Sequence, residues 1–394
     1  MSFYTRVDGI NVSVPDEKYI TFSYKDFNVM PTVKSELIEE VNDISIKRVI
    51  KTSSRKLILA TDNKIYERKD GKYSAILDKT FPSGVDVIEL KKKGEKTLLF
   101  IGDDGGIFED GERVEHIKRG QHLVAFGRLF SASGRTLRYS KPFDYENYST
   151  GVKLYGFFET EEDLGDIVGL FELYNKVCVL CKNGIVLFSP FMEESEYSAE
   201  RMFTDGIINA LENSAVKIGD ELFFITDGNL ARLNAKKTLS LFLLPKRLDF
   251  SIGHAVEVDG YYTIPVLDYG KKKTFFAKIG KENRLFTKDG GEVIEKFGFF
   301  ADGNAIYKKN IDDSSLTGEI ASDFNSLSVK RIKRIVARNL DGAVLKVEGA
   351  KRVKSVNITS DYCVSYLCHC SENFTLSLSK IDTDSELYIE YLDY

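Results

Sequence analysis

Val177-Cys-Val-Leu-Cys-Lys-Asn-Gly-Ile-Val-Leu-Phe188 consists of two apolar runs joined by Lys-Asn-Gly. β-Branched and apolar residues suit a pleated, half-buried surface, and Asn-Gly tolerates the positive φ that tight antiparallel turns need. The stretch therefore predicts a β-hairpin. The same pattern recurs at Leu57-Ile-Leu-Ala-Thr-Asp-Asn-Lys-Ile-Tyr66 and Thr97-Leu-Leu-Phe-Ile-Gly-Asp-Asp-Gly-Gly-Ile-Phe108, and again across Gly127–Tyr139, Glu221–Leu233, Tyr262–Ala277 and Phe297–Tyr307. The final residues of these hairpins lie 42, 31, 49, 45, 44 and 30 residues apart. A mean of about 40 is the length of a four-stranded propeller blade, and radial repetition leaves only short strand edges.

The expected fold is all-β: a six- or seven-bladed β-propeller over residues 46–315, followed by a small C-terminal β-sandwich over 316–394. In the sandwich, strands are expected at Val329–Ala337, Ala343–Val347, Val353–Ile358, Tyr362–Cys368, Phe374–Ser379 and Leu387–Leu392. Residues 1–45 read as a strand-rich arm. The two short intervals suggest hairpins that share a blade or blades that lack strands. Helical periodicity is confined to Lys34–Val41 and Ala199–Glu212, which are expected as short helices.

Composition agrees with a β protein. Among 394 residues there are 27 Phe and 20 Tyr but no Trp, and only seven Pro. A net charge of −5 gives no global attraction to nucleic acid or anionic membrane. The opening Met-Ser-Phe-Tyr-Thr-Arg lacks the apolar core of a signal peptide, and no stretch is apolar enough to span a bilayer. Five cysteines without framework spacing suit a reducing compartment. Synthesis in a cytoplasm without membrane association is the expectation.

The most specific string is Gly127-Arg-Leu-Phe-Ser-Ala-Ser-Gly-Arg-Thr-Leu-Arg-Tyr-Ser-Lys-Pro-Phe-Asp-Tyr-Glu-Asn-Tyr148. It resembles a stretch of propeller-type virion proteins of tailed phages and prophages, such as the nozzle and hub proteins of short-tailed phages. The carriers are Gly127, Arg128, Leu129, Phe130, Gly134, Ser140, Pro142, Asp144, Tyr145, Glu146, Asn147 and Tyr148. Ser385-Glu-Leu-Tyr-Ile-Glu-Tyr-Leu392 is similar to the last strand of the small sandwich that often ends such proteins. The resemblance implies a non-enzymatic structural part of a particle, in the tail, hub or neck. Its partners would be other virion proteins or further copies of itself in a ring. The alternative for Tyr139–Tyr148 is an aromatic connector between blades.

The search for chemistry gives little. Cys178 and Cys181 lie three apart in a strand and so face opposite ways, which predicts core cysteines. Cys368-His369-Cys370 reproduces no zinc spacing, and His116, His122, His254 and His369 are scattered. Gly102-Asp-Asp-Gly-Gly106 lies between strands and reads as a turn, since a phosphate cradle needs a helix N-terminus. No catalytic, cofactor-binding or metal-binding residue is assigned. A carbohydrate-binding or glycan-cleaving propeller is the alternative function. It would place carboxylates, Tyr and Arg on one mouth of the propeller, and the absence of Trp counts against it.

Charge is unevenly placed. From Lys330 to Lys354 nine cations, Arg331, Arg334, Arg338 and Arg352 among them, face only two carboxylates. Glu161, Glu162 and Asp163 anchor an acidic run. These patches read either as solvated faces or as complementary docking surfaces, with DNA contact as a further option for the basic one. The expected contact residues are Arg138, Tyr139, Phe143, Tyr145, Tyr148, Arg331, Arg334, Arg338, Arg352, Glu161, Glu162 and Asp163.

Overall fold

A computed structural model describes residues 4–7, 10–13, 16–23, 28–54, 56–81, 84–92, 94–114, 117–145, 156–189, 198–203, 208–244, 246–280, 283–322, 330–349, 352–360, 362–371, 374–381 and 384–393. The described residues form strands and turns, with two 3-10 turns at Glu162–Leu164 and Lys296–Gly298 and no α-helix. The chain divides into two compact units, Ser35–Asn310 and Met1–Lys34 with Ile311–Tyr394. This differs from the expected division, because residues 1–45 do not form one arm. Asp16–Ser23 pairs with Glu386–Asp393, with Ile20 opposite Ile389. Residues from Ser35 onward group with the hairpin repeats.

The larger unit is a succession of antiparallel meanders and is β-propeller-like. The first sheet runs Arg48–Lys51, Leu57–Ala60, Lys64–Lys69 and Lys72–Asp78. The second runs Asp86–Lys92, Glu95–Gly102, Gly105–Phe108 and Arg113–Val114, and the third Gln121–Ala125, Arg128–Ser133, Thr136–Tyr139 and Gly156–Glu159. The fourth runs Ile167–Leu173, Lys176–Cys181, Gly184–Ser189 and Ser198–Met202, and the fifth Val216–Ile218, Glu221–Thr226, Asn229–Leu233 and Leu239–Phe242. Five strands between Leu248 and Asp289 form the sixth. Each of the first six predicted hairpins lies in a sheet of its own, so the 31-residue interval separates two sheets rather than dividing one.

Successive sheets are glued face to face. Phe130, Leu137 and Tyr139 of the third share a core with Val177, Val179, Cys181, Val186 and Phe188 of the fourth. The other face of the fourth, Cys178, Leu180, Ile185 and Leu187, packs on Leu222, Phe224, Ala231 and Leu233 of the fifth. A strand covered on both sides must be apolar at every position, and Lys176–Cys181 is buried from Val177 on. Within this unit the last hairpin returns to the first sheet. Ile306 joins the cluster of Val41, Ile46, Val49, Leu57 and Leu59, and the Ile46 N–H donates to the Gly303 carbonyl at 3.0 Å.

Neither expected helix is present among the described residues. Lys34–Val41 falls largely in the strand Asn28–Glu40, which pairs with Ala305–Ser322. Leu37 and Ile38 are exposed there, so the apolar spacing marks no buried helical face. Ser198–Met202 is the edge strand of the fourth sheet. Pairing with a neighbouring strand outweighs local propensity in both places.

In the smaller unit one sheet orders Asp16–Ser23, Glu386–Asp393, Lys330–Arg338 and Tyr362–Ser371. Another sets the Gly318–Ser322 end of the strand Ala305–Ser322 against Phe374–Leu378, followed by Val344–Gly349 and Arg352–Asn357. One core draws on both: Ile332, Ile335, Ala337, Leu387 and Ile389 meet Leu345, Val347, Leu376 and Leu378.

Candidate functional site

The Gly127–Tyr145 segment is tied into its own chain at nearly every position. Ala125 opposes Arg128 across a two-residue turn in which Phe126 and Gly127 both have positive φ (53° and 68°). A Cβ on Gly127 would come within 2.7 Å of the Phe143 ring, while the Phe143 N–H donates to the Gly127 carbonyl at 2.7 Å. Glycine is thus required here for both backbone angle and close approach. Arg128 is fully buried and donates to the Ser140 carbonyl at 2.7 Å, with its guanidinium 5.7 Å from the centre of the Tyr139 ring. The Ser140 hydroxyl accepts from the Leu129 N–H and donates to the Lys141 carbonyl, each at 3.0 Å. Leu129 and Tyr145 then enter the core shared with the second sheet.

This placement corrects two expected contact residues. Tyr139 is buried beside Phe130 and Phe188, and Tyr145 is buried as well. Both rings are needed to fill space between sheets, so neither offers a surface to a partner. Arg138 is exposed, and Phe143 is 72% exposed beside the exposed Phe126. Tyr148 lies outside the described residues.

The acidic run is solvent-facing but partly neutralised. Glu161 and Asp163 both pair with Arg201, and Glu162 lies 3.7 Å from Arg135. The basic strand Lys330–Arg338 is similarly balanced. Glu390 takes Lys333 at 3.1 Å and Arg334 at 2.8 Å, and Glu386 lies 3.6 Å from Arg338. Arg331 is half-buried on the same strand. Arg352 begins the strand opposite Gly349. The two patches sit in different units.

Two features escaped the sequence reading. The first is a chain of charges around the buried Glu295 in the larger unit. The Glu295 carboxylate accepts from Arg48 at 2.6 and 3.1 Å and lies 3.6 Å from His254 Nε2, while Arg48 also donates to the Val85 carbonyl at 2.6 Å. Nearby, Asp86 faces His122 at 3.7 Å, and the His122 Nδ1 meets the Ser131 hydroxyl at 2.9 Å. A cavity of about 380 Å³ opens beside Arg48 and Glu295, lined also by Lys47, Glu292 and Asp302. Burial alone would raise the Glu295 carboxyl, but the hydrogen bonds and charge of Arg48, with His254 close by, hold it at about 2. Burial lowers the His122 imidazole, against the pull of Asp86. A carboxylate held so low is a fixed anion, since a general acid or base works best near the operating pH.

The second feature is the outer face of the C-terminal sheet. Strand register sets Tyr362, Arg338 and Glu386 in one row, Val364, Val336 and Tyr388 in the next, and Tyr366, Arg334 and Glu390 in a third. Tyr and Arg thus interleave across strands, where the sequence shows no such alternation.

Cys178 and Cys181 enter different cores, and burial pushes both thiols up to about 12. Neither supplies a thiolate at neutral pH. Asp103 and Asp104 form the turn between Glu95–Gly102 and Gly105–Phe108. Among the described residues, no three of His, Cys, Asp and Glu gather as a ligand set.

No family model matches the chain, and no curated protein matches it. Among solved structures, it is similar to a catalytically inactive virginiamycin B lyase from Staphylococcus aureus with Quinupristin. That likeness has 12% identity and a TM-score of 0.48 over 71% of this chain and 99% of the other. BamB from Moraxella catarrhalis is similar at 9% identity and a TM-score of 0.41, over 87% of this chain and 99% of the other. The N-terminal domain of Nup159 is similar at 10% and 0.40, over 75% and 98%. These likenesses carry no statement about activity or partners.

Proposed function

We propose that this chain is a structural component of a phage or prophage particle, in the tail, hub or neck, and that it acts through protein–protein contacts. The observation that carries the reading is the Gly127–Tyr145 segment. The residues that resemble phage propeller proteins include a glycine under a phenylalanine ring, a buried arginine and a buried serine that tie the segment to itself, and a leucine and a tyrosine that enter the core shared with the second sheet. What resembles that group is therefore scaffold, which is what a mechanical part needs.

In this reading the larger unit is a seven-bladed propeller. The last blade combines Phe299–Asp302 and the start of Ala305–Ser322 with Asn28–Glu40, and the smaller unit is a β-sandwich. Contacts would come from the Phe126–Phe143 protrusion with Arg138, from Glu161, Glu162 and Asp163, and from Arg331, Arg334, Arg338 and Arg352. Complementary charge would set docking register and rate more than affinity. Mass spectrometry of particles purified from an induced lysogen tests it: peptides of this chain in fixed ratio to known tail proteins are expected. Complete particles without them would overturn the reading.

A further inference from the structure

Successive side chains of a strand point to opposite faces, and in the C-terminal sheet only one face meets the core. Ile332, Ile335, Ala337, Leu387 and Ile389 take the inner side. The outer side carries Tyr366, 75% exposed, Tyr362, 59% exposed, and the exposed Val364, with Tyr388 between Glu386 and Glu390. A register shift between Ile332 and Arg334 sets Lys333 and Arg334 together against Glu390. The Arg338 guanidinium stands 5.8 Å from the centre of the Tyr362 ring. Among the described side chains of this face, the cations Arg331, Lys333, Arg334 and Arg338 stand with Glu386 and Glu390.

We propose that this face binds single-stranded nucleic acid, with bases stacking on Tyr362 and Tyr366 and phosphates drawn to the four cations. Exposed planar rings interleaved with positive charge are the two elements of a sequence-tolerant single-strand platform. Tyr362 and Tyr366 are four residues apart on one strand, roughly 13 Å, so each ring can take its own base. A duplex keeps its bases stacked on each other and could use only the cations. Glu386 and Glu390 oppose phosphate and keep the affinity modest. Such binding does not depend on whether the chain belongs to a phage particle.

The test is fluorescence anisotropy with the full-length protein and a 5′-labelled oligothymidylate 12-mer, titrated at low and at physiological salt. Binding is expected, with a logarithmic salt slope that becomes shallower by about 0.7 for each cation removed, as in R331Q and R338Q. Tyr362→Ala with Tyr366→Ala should weaken binding by about 10-fold or more. The Tyr362→Phe and Tyr366→Phe pair keeps the rings and should stay within about 3-fold of the parent. Three results would overturn the proposal: no anisotropy change at low salt, equal binding by the double-alanine variant, or salt-independent binding of soluble dextran without binding of the oligonucleotide.

Discussion

The fourth sheet of the larger unit and the basic sheet of the smaller one use similar strands in opposite ways. Lys176–Cys181 is flanked by a sheet on either side, and five of its six residues are buried. Lys330–Arg338 hides Ile332, Ile335 and Ala337 and turns arginines outward. The first arrangement uses both faces of each sheet for cohesion. The second leaves one face over, and that is where rings and charges stand ready to meet another molecule. Stability should therefore respond sharply to change in the first region and little in the second.

The largest effect is expected from Phe188→Ala, which empties a fully buried site between Tyr139 and Phe158. Loss of a buried Phe side chain costs about 3–5 kcal/mol, readable by chemical denaturation. A smaller loss from this variant than from Tyr366→Ala would break the contrast.

Next comes acid. Glu295 titrates at about 2 in the folded chain, against an ordinary value of 4.5. A depressed carboxyl stabilises the fold above the unfolded value, and that contribution is lost as pH falls from about 4.5 towards 2. The shift corresponds to on the order of 3 kcal/mol. Thermal melts of the parent should lose this increment across that window, and Glu295→Gln should melt lower at neutral pH with a flatter acid limb. Parallel curves for the two proteins would count against the Arg48–Glu295 ion pair.

Gly127→Ala should cost about 1–2 kcal/mol, because alanine resists the left-handed angle and its Cβ would press on Phe143. Pairing it with Phe143→Ala relieves the collision but not the angle, so part of the loss should return. The smallest effects belong to the solvent-facing side chains. Tyr366→Ala should move stability by no more than about 0.5 kcal/mol, and Arg201→Ala in the acidic patch should leave the denaturation curve essentially unchanged.

Local turn chemistry explains what could be read in advance. Asp-Gly in Thr226-Asp-Gly-Asn229 takes the positive φ expected of it, whereas Asn183-Gly184 marks its hairpin without doing so, the turn falling on Lys182 and Asn183. Opposite-facing Cys178 and Cys181 likewise follow from a period of two. The charge chain was not readable, since Arg48 and Glu295 are 247 residues apart and meet only when the larger unit closes on itself. Nor was the Tyr–Arg face, which draws Arg334 and Arg338, Tyr362 and Tyr366, and Tyr388 from three separate strands. Tyr139 and Tyr145 were misread because aromatic residues beside a Ser-Lys-Pro turn look alike whether they face solvent or plug a gap between sheets.

Cryo-electron microscopy of particles from the induced lysogen tests the proposed role most directly. The account predicts density for symmetry-related copies of a propeller with a small appended β unit in the tail, hub or neck, each meeting its neighbours through exposed charge or the Phe143 protrusion. Fully assembled particles with every density assigned to other chains would contradict it.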